Sequence, residues 1–325
     1  MRRPISVSVL IANFNHAVFI QKTLQALVEQ TRPADEVIVV DDCSTDDSVA
    51  VIETFRGVLP GLRLLRNREN QGVNAAFNRA LAEAEGSYVS FCSADDWFEP
   101  RCLERLVGAS AAFGGPRLCI SRFVQYVDGE NRFIHHGKDS EIGHWYLSES
   151  DGPRLYSPAD LRNILAHGYT WLNLNGSLID RDTLREIGGY DPNLRWHADW
   201  FAVFTIAFRF GFAIVPEPLS VFRLLPESYS AGMRDPAQQR QLCRAIYDKL
   251  HAPAFADIGA AMRQCPAALA PFIRHFILWM AGQPRTWPYL WSPLLWWLNE
   301  VRKGRRPGTV RDLARSLGLN TNPRL

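Results

Sequence analysis

The 325-residue sequence is short of several features that usually declare a protein's class. Its six cysteines, Cys43, Cys92, Cys102, Cys119, Cys243 and Cys265, form no CxxC pair and no dense cluster. That spacing argues against a zinc ribbon or a disulfide framework and favours a reduced, cytoplasmic setting. Net charge is also scarce: 36 Lys plus Arg stand against 34 acids, a formal +2. Such a chain has no global field with which to hold nucleic acid, so an anionic ligand has to be gripped locally. No apolar run reaches the roughly 20 residues needed to span a bilayer. The opening Met1-Arg2-Arg3-Pro4, followed by Ile5 to Ile11 with interleaved Ser, is too short and too polar for a signal peptide. Internal repeats and low-complexity segments are lacking as well. What is present is 47% apolar and 22% charged residues, the balance of a chain that buries a sizeable core. The length suits one large α/β domain, taken as residues 1–232, and a helical, Trp-rich C-terminal extension over 233–325.

Ile5 to Ile11 reads as a strand, the following Asn-rich turn as a loop, and Phe19 to Gln30 as a helix. Glu36 to Val40 is a continuous apolar run ending in Asp41-Asp42, the pattern of a strand in a buried parallel sheet. Ser48 to Phe55 is expected as a helix, Leu62 to Arg66 as a strand, Val73 to Ala84 as an Ala-rich helix and Tyr88 to Phe91 as a strand running into Ser93-Ala94-Asp95-Asp96. This alternation predicts an α/β fold with a mostly parallel open sheet flanked by helices. Ligands of such sheets bind beyond the carboxyl ends of the strands, where Asn13, Asn15, Asp41, Asp42, Asp95 and Asp96 all fall. From Gly114 to Ser157 the pattern weakens to short strands around Leu118 to Tyr126 and a polar stretch from Asp128 to Asp151, expected as sheet edge and loop. A long apolar helix over Asp199 to Phe210 and a short strand over Phe212 to Val215 follow.

The acids sort by the work each position allows. A divalent ion held by carboxylates neutralises a diphosphate, and Asp95 and Asp96, directly after a strand, are the candidates to hold it; alone, such a pair is more often a solvated loop or a helix cap. Asp46 or Asp47 is placed to cap the next helix, leaving Asp41 and Asp42 free to accept bonds from a base or ribose, with amide contacts from Asn13 and Asn15. Asn70 and Gly72 open the Ala-rich helix, as a cap and a close-approach glycine, or as donor contacts.

Together these residues resemble glycosyltransferase family 2, with its A-type nucleotide-sugar-binding fold. Val7 to Asn15 is similar to the family's opening strand and turn, Glu36 to Asp46 to its nucleotide-binding strand and acidic loop, and Asn70-Gln71-Gly72 with Asn78 to its Asn-Gly helix start. Phe77 stands where many members carry Arg, and Ser93 where many carry the first acid of an Asp-any-Asp metal motif. The resemblance covers roughly residues 5 to 230 and implies an inverting transfer of sugar from a nucleoside diphosphate, uridine being the commoner base, onto a glycan or lipid-linked acceptor. It implies donor contacts at Asn13, Asn15, Asp41, Asp42, Asn70, Gly72, Asn78, Ala94 and Asp95, and Mn²⁺ or Mg²⁺ at Asp95 and Asp96.

Such a transfer needs a base for the acceptor hydroxyl. The stretch from Gly188 to Trp200 resembles the family's run from a double glycine to a Glu-Asp pair; Ala198 replaces the Glu, and Asp199 matches the base, with a helix-capping role as the alternative. Trp171, Asn175, Gly176, Ser177, Trp196 and His197 are expected on the acceptor side, Trp200 there or in the core, and Arg223 with Ser228 and Ser230 in a loop over the diphosphate or at the surface. Past Phe272 to Met280, the run from Thr286 to Leu298 is dense in Trp and ends beside Arg302-Lys303-Gly304-Arg305-Arg306. Trp and basic residues together suit contact with an anionic membrane at its inner face; packing on the catalytic domain or a homodimer is the alternative. Two other functions are open at this point: a sugar nucleotidyltransferase, which would be expected to carry a Gly-rich basic loop where Asn13-Phe14-Asn15-His16 stands, and a non-catalytic nucleotide-sugar-binding protein.

Overall fold

A computed structural model describes residues 4–59, 61–135, 152–167, 170, 172, 174–225 and 235–302. Its strands are β1 (Val7–Asn13), β2 (Glu36–Asp41), β3 (Leu62–Arg66), β4 (Tyr88–Ser93), β5 (Trp97–Phe98), β6 (Leu118–Val127), β7 (Arg132–His135), β8 (Arg154–Tyr156), β9 (Ser177–Asp180) and β10 (Phe212–Leu224). Its α-helices are α1 (Ala17–Val28), α2 (Ser48–Glu53), α3 (Val73–Glu83), α4 (Cys102–Ala112), α5 (Pro158–His167), α6 (Arg181–Glu186), α7 (Ala198–Phe210), α8 (Pro236–His251), α9 (Ala256–Gln264), α10 (Ile273–Ala281) and α11 (Trp287–Arg302).

The strands form one sheet in the order β3-β2-β1-β4-β9-β6-β10-β5, with β7 on β6 and β8 on β10. The first four pair in parallel, as their continuous apolar runs require. The pairs of β4 with β9, β9 with β6, and β10 with β5 and β8 are antiparallel, so the sheet is mixed. Here the structure goes beyond the periodicity. The segment Leu118–Val127 is one strand of 10 residues, and β10 extends through Pro216 and Pro218 to 13 residues. Pro interrupts the sequence pattern because it removes a donor, yet β10 carries its prolines where the burial pattern opens to solvent.

The period of two in the strands builds two apolar layers. Val7, Val9, Ile11, Val37 and Val39 face one side and pack with Ile20 and Leu24 of α1, Ile52 of α2, and Leu103 and Leu106 of α4. On the other side, Phe77 of α3 meets Phe91 of β4 edge-on at 5.0 Å, and Tyr190 closes the cluster 4.8 Å from Phe91. The Phe at 77 therefore serves the core. The chain divides into two compact units: one of residues 1–135, 149–157 and 172–223, which holds the sheet, and one of 136–148, 158–171 and 224–325. In the second unit α8, α9, α10 and α11 pack on one another. No described helix is long and apolar enough to cross a membrane.

Candidate active site

Register aligns the strand ends. Asn13 of β1 lies opposite Asp41 of β2, which lies opposite Arg66 of β3, while Ala12 pairs with Ser93 at the end of β4. The polar residues that terminate each apolar run are thereby brought to one edge, because parallel strands all end on the same side.

At that edge Asn13 donates from Nδ2 to Asp41 Oδ1 at 2.9 Å and to Ser44 Oγ at 3.2 Å. The second Asp41 oxygen accepts the Ser44 N–H at 3.1 Å. Both residues are buried, and Asn13 Oδ1 has no partner among the described residues. Two residues beside them hold left-handed backbone, Asn15 at φ 53° and Cys43 at φ 68°, which non-glycine residues adopt at some cost. Asn15 Oδ1 accepts the Thr45 N–H at 2.8 Å, so its amide ties the two loops together. Of the possible caps, Asp46 acts and Asp47 does not: Asp46 takes Ala17 N–H of α1 at 2.9 Å and Ser48 N–H of α2 at 3.0 Å.

Asp42 is used differently from its neighbour. Its carboxylate accepts Gly72 N–H at 2.7 Å, Gln71 N–H at 3.0 Å and the Asn67 amide, and so holds the loop ahead of α3. Gly72 sits at φ 88° with its own N–H also shared by Asn70 Oδ1 at 3.0 Å. Helix α3 in turn braces a distant segment. Asn74 donates to Arg195 O at 2.8 Å, and Asn78 makes a two-way bond with the Tyr190 backbone, accepting its N–H at 2.8 Å and donating to its carbonyl at 2.6 Å. Both polar atoms of Asn78 are engaged this way, which braces the 190–195 segment. A Cβ on Gly189, at φ 66°, would overlap Asn78 Oδ1, which explains a glycine there.

The acid pair after β4 also separates. Asp96 is buried, accepts Arg223 N–H at 2.8 Å on Oδ1 and the Asn175 amide at 2.9 Å on Oδ2, and has its carboxyl held well above the usual range by burial and by Asp95. Both carboxylate oxygens are thereby engaged in a tie between β4, β10 and the turn before β9. The Ser93 hydroxyl also bonds the Asp96 carboxylate. Asp95 is half-buried, and its carboxylate is bonded by its own backbone N–H, with no distant element taking it up among the described residues. Burial raises it, while the His16 ring and the Arg223 guanidinium partly offset that rise. Ala94 is buried, with its carbonyl accepting the Thr23 hydroxyl at 2.8 Å.

Arg223 and His16 carry more of the site than their sequence positions suggested. Arg223 is buried, donates from Nε to Asp95 O at 2.9 Å, pairs with Asp128, and lies over Trp97 at 5.2 Å and Tyr126 at 5.3 Å. It clamps the Asp95 turn instead of lying at the surface. His16 Nδ1 is buried without a partner among the described residues, near the Asp95 charge. Its signal in the sequence is only that it follows Asn13 and Asn15 in the loop after β1.

Asp199 is the second residue of α7 and is not its cap, since the capping position belongs to His197, whose side chain makes no capping bond. Oδ1 accepts the Trp200 N–H at 2.6 Å. Burial pushes the carboxyl up from 3.8 to about 6, with backbone N–H bonds working against it. Arg195, three residues before α7, is held at φ 47° and ψ −123°, a conformation costly for a side-chain-bearing residue.

The residues expected on the acceptor side lie in different surroundings. Asn175, Gly176 and Ser177 are buried: a Cβ on Gly176, at φ 68°, would lie 2.6 Å from Ser220 Cβ, and Ser177 Oγ donates to Leu174 O at 2.5 Å. The turn is held between β6 and β10 by Ser121 Oγ, which donates to Gly176 O at 2.8 Å, and Ser220 Oγ, which donates to Asn175 O at 2.9 Å. His197 is buried beside Trp196 and Trp200, with ring centroids 6.5 and 6.3 Å away. Trp200 belongs to the core and Trp196 is half-buried. Trp171, Ser228 and Ser230 lie outside the described residues.

With this geometry established, residues 8–177 match the family model described as glycosyl transferase family 2. The chain belongs to glycosyl transferase family 2. Membership makes it a transferase, as its acidic strand ends suggested. It is 28% identical over 223 residues to an uncharacterized glycosyltransferase of Nostoc sp., an alignment covering 67% of this chain and 64% of that one. It is 26% identical to a putative teichuronic acid biosynthesis glycosyltransferase, TuaG, of Bacillus subtilis, covering 75% of this chain and 89% of the relative. Its fold is similar to that of S. aureus TarS 1–349, solved in complex with UDP-GlcNAc, with a TM-score of 0.60, 16% identity and 93% of each chain covered. The A-type α/β architecture expected from the sequence, with helices following it, is the architecture found.

Proposed function

We propose that the family 2 site of this chain transfers a sugar, with inversion at the anomeric carbon, from a uridine diphosphate sugar to a hydroxyl of a glycan or lipid-linked acceptor. One observation carries this reading. Apart from the exposed Asp47, the acids at the strand ends and at α7 whose carboxylates are not taken up by a distant element are Asp95 and Asp199, and burial raises both. The others, Asp41, Asp42, Asp46 and Asp96, hold the frame.

In this reading Asn13, held by Asp41, receives the nucleotide, its partnerless Oδ1 taking a donor N–H from it. Asp199 removes the acceptor proton. A carboxylate that titrates near 6 is a better base than one at 3.8 and is still ionised at neutral pH. The Asn78 and Asn74 braces keep the 190–195 segment, and with it the start of α7, in a fixed place relative to α3. The fit of a divalent ion is testable on the same residues. No group of three or more ligating side chains occurs among the described residues, but Mg²⁺ and Mn²⁺ sites in such enzymes use one or two carboxylates and complete themselves with substrate phosphates. Asp95, a half-buried carboxylate beside a second buried acid, suits that role. Bound there, the ion would neutralise the leaving diphosphate.

The test is a panel of nucleotide-sugars, with and without Mn²⁺, scored by thermal shift and by release of nucleoside diphosphate. UDP-sugars are expected to stabilise the chain and to be hydrolysed or transferred, with Asp199→Asn abolishing turnover while leaving the shift intact. Absence of stabilisation by every nucleotide-sugar would overturn the donor assignment. An α-configured donor yielding an α-linked product would overturn the inversion.

A further inference from the structure

Helix α11 packs on α9, α10 and the turn at Pro266–Leu269, burying Pro293 and Glu300. Its outward face is also apolar. Trp287, Trp291, Leu295, Leu298 and Val301 are exposed, Trp291 by 64% and Leu295 by 62%. At about 100° per residue these five positions fall within an arc of about 120°. Arg302, in the last turn, is the one charged residue in that arc. A helix on the surface of a domain in water turns its polar side outward; this one does the reverse along four turns.

The charges around the stripe identify what covers it. From Gln283 to Val310 the bases are Arg285, Arg302, Lys303, Arg305 and Arg306, and the single acid is Glu300, which is buried. Residues 303–310 lie outside the described residues and enter only through their composition. Two copies apposed through this face would bring like charges together, whereas an anionic lipid surface meets both features at once: indoles settle at the boundary between headgroups and acyl chains, and the bases meet the phosphates.

We infer that α11 lies in the plane of an anionic bilayer surface, with Trp287, Trp291, Leu295 and Leu298 inserted and Arg285 and Arg302 at headgroup level. This goes beyond the transfer reaction and does not depend on the donor or the base.

The experiment uses the full chain in flotation with vesicles of phosphatidylcholine alone and of phosphatidylcholine with phosphatidylglycerol. The wild type is expected to float with the anionic vesicles roughly tenfold more than with the neutral ones, and to be released by salt. A Trp291→Glu/Leu295→Glu double variant, substituted on the exposed face, is expected to lose roughly tenfold of that binding with an unchanged circular dichroism spectrum. If that variant does not fold, Leu295→Ser and quenching of wild-type tryptophan fluorescence by brominated lipid give the same readout. Failure of the wild type to bind either vesicle overturns the inference, as does binding that the stripe variants leave unchanged. A concentration-dependent dimer that the double variant dissolves, with no vesicle binding, overturns it in favour of a second copy.

Discussion

Replacing Asp199 by Asn should make the protein more stable at alkaline pH while removing its activity. Burial raises the Asp199 carboxyl from 3.8 to about 6, so the folded chain holds this proton more tightly than the unfolded chain does. The sign follows directly. Below the unfolded value of 3.8 the residue is neutral in both states and carries no penalty; as pH rises toward 6 the unfolded state ionises first, and folding loses stability until the folded carboxyl ionises as well. At about 1.4 kcal/mol per pH unit, the loss at pH 8 is about 2 to 3 kcal/mol. Asn keeps the shape and cannot ionise. Its thermal midpoint should therefore exceed that of the wild type by about 4 to 6 °C at pH 8 and coincide with it at pH 3.5. Matched melts at the two pH values check this. An equal offset at both, or none at pH 8, would refute the claim that Asp199 is a desolvated carboxylate. The same titration should appear in catalysis as an acidic limb in kcat/KM with a midpoint near 6.

The acid pair gives a second contrast: the prediction for Asp95→Asn is loss of the extra thermal stabilisation that Mn²⁺ adds to a nucleotide-sugar, with the unliganded melt at pH 8 raised because burial disfavours the ionised carboxylate. Asp96→Ala, which strips Arg223 N–H and the Asn175 amide of their acceptor, should cost about 3 kcal/mol in urea unfolding. Asp42→Ala should cost a similar amount, because three donors of the loop before α3 lose their partner. Gly189→Ala, at φ 66° and against Asn78, should cost at least about 2 kcal/mol and lower kcat more than donor binding, since it displaces the segment leading to Asp199. Asn13→Ala should weaken UDP binding about tenfold by calorimetry with little effect on the pH profile.

The sequence by itself determined the parallel half of the sheet, its helices and the line of polar residues at the strand ends. Those signals are local: an apolar run of five or six residues stopping at Asn13, Asp41 or Ser93 shows both the strand and its carboxyl end. Only the tertiary structure decided which of the acids are free to act. Asp41, Asp42, Asp95 and Asp96 are alike as residues, yet Asp42 is taken up by a loop some 30 residues on and Asp96 by Arg223, 127 residues away, while Asp95 keeps its carboxylate. Likewise Asn78 becomes a brace because Tyr190, 112 residues later, brings its backbone to it. Availability is the absence of a partner, and a partner drawn from a distant strand leaves no trace in the spacing around the residue it occupies.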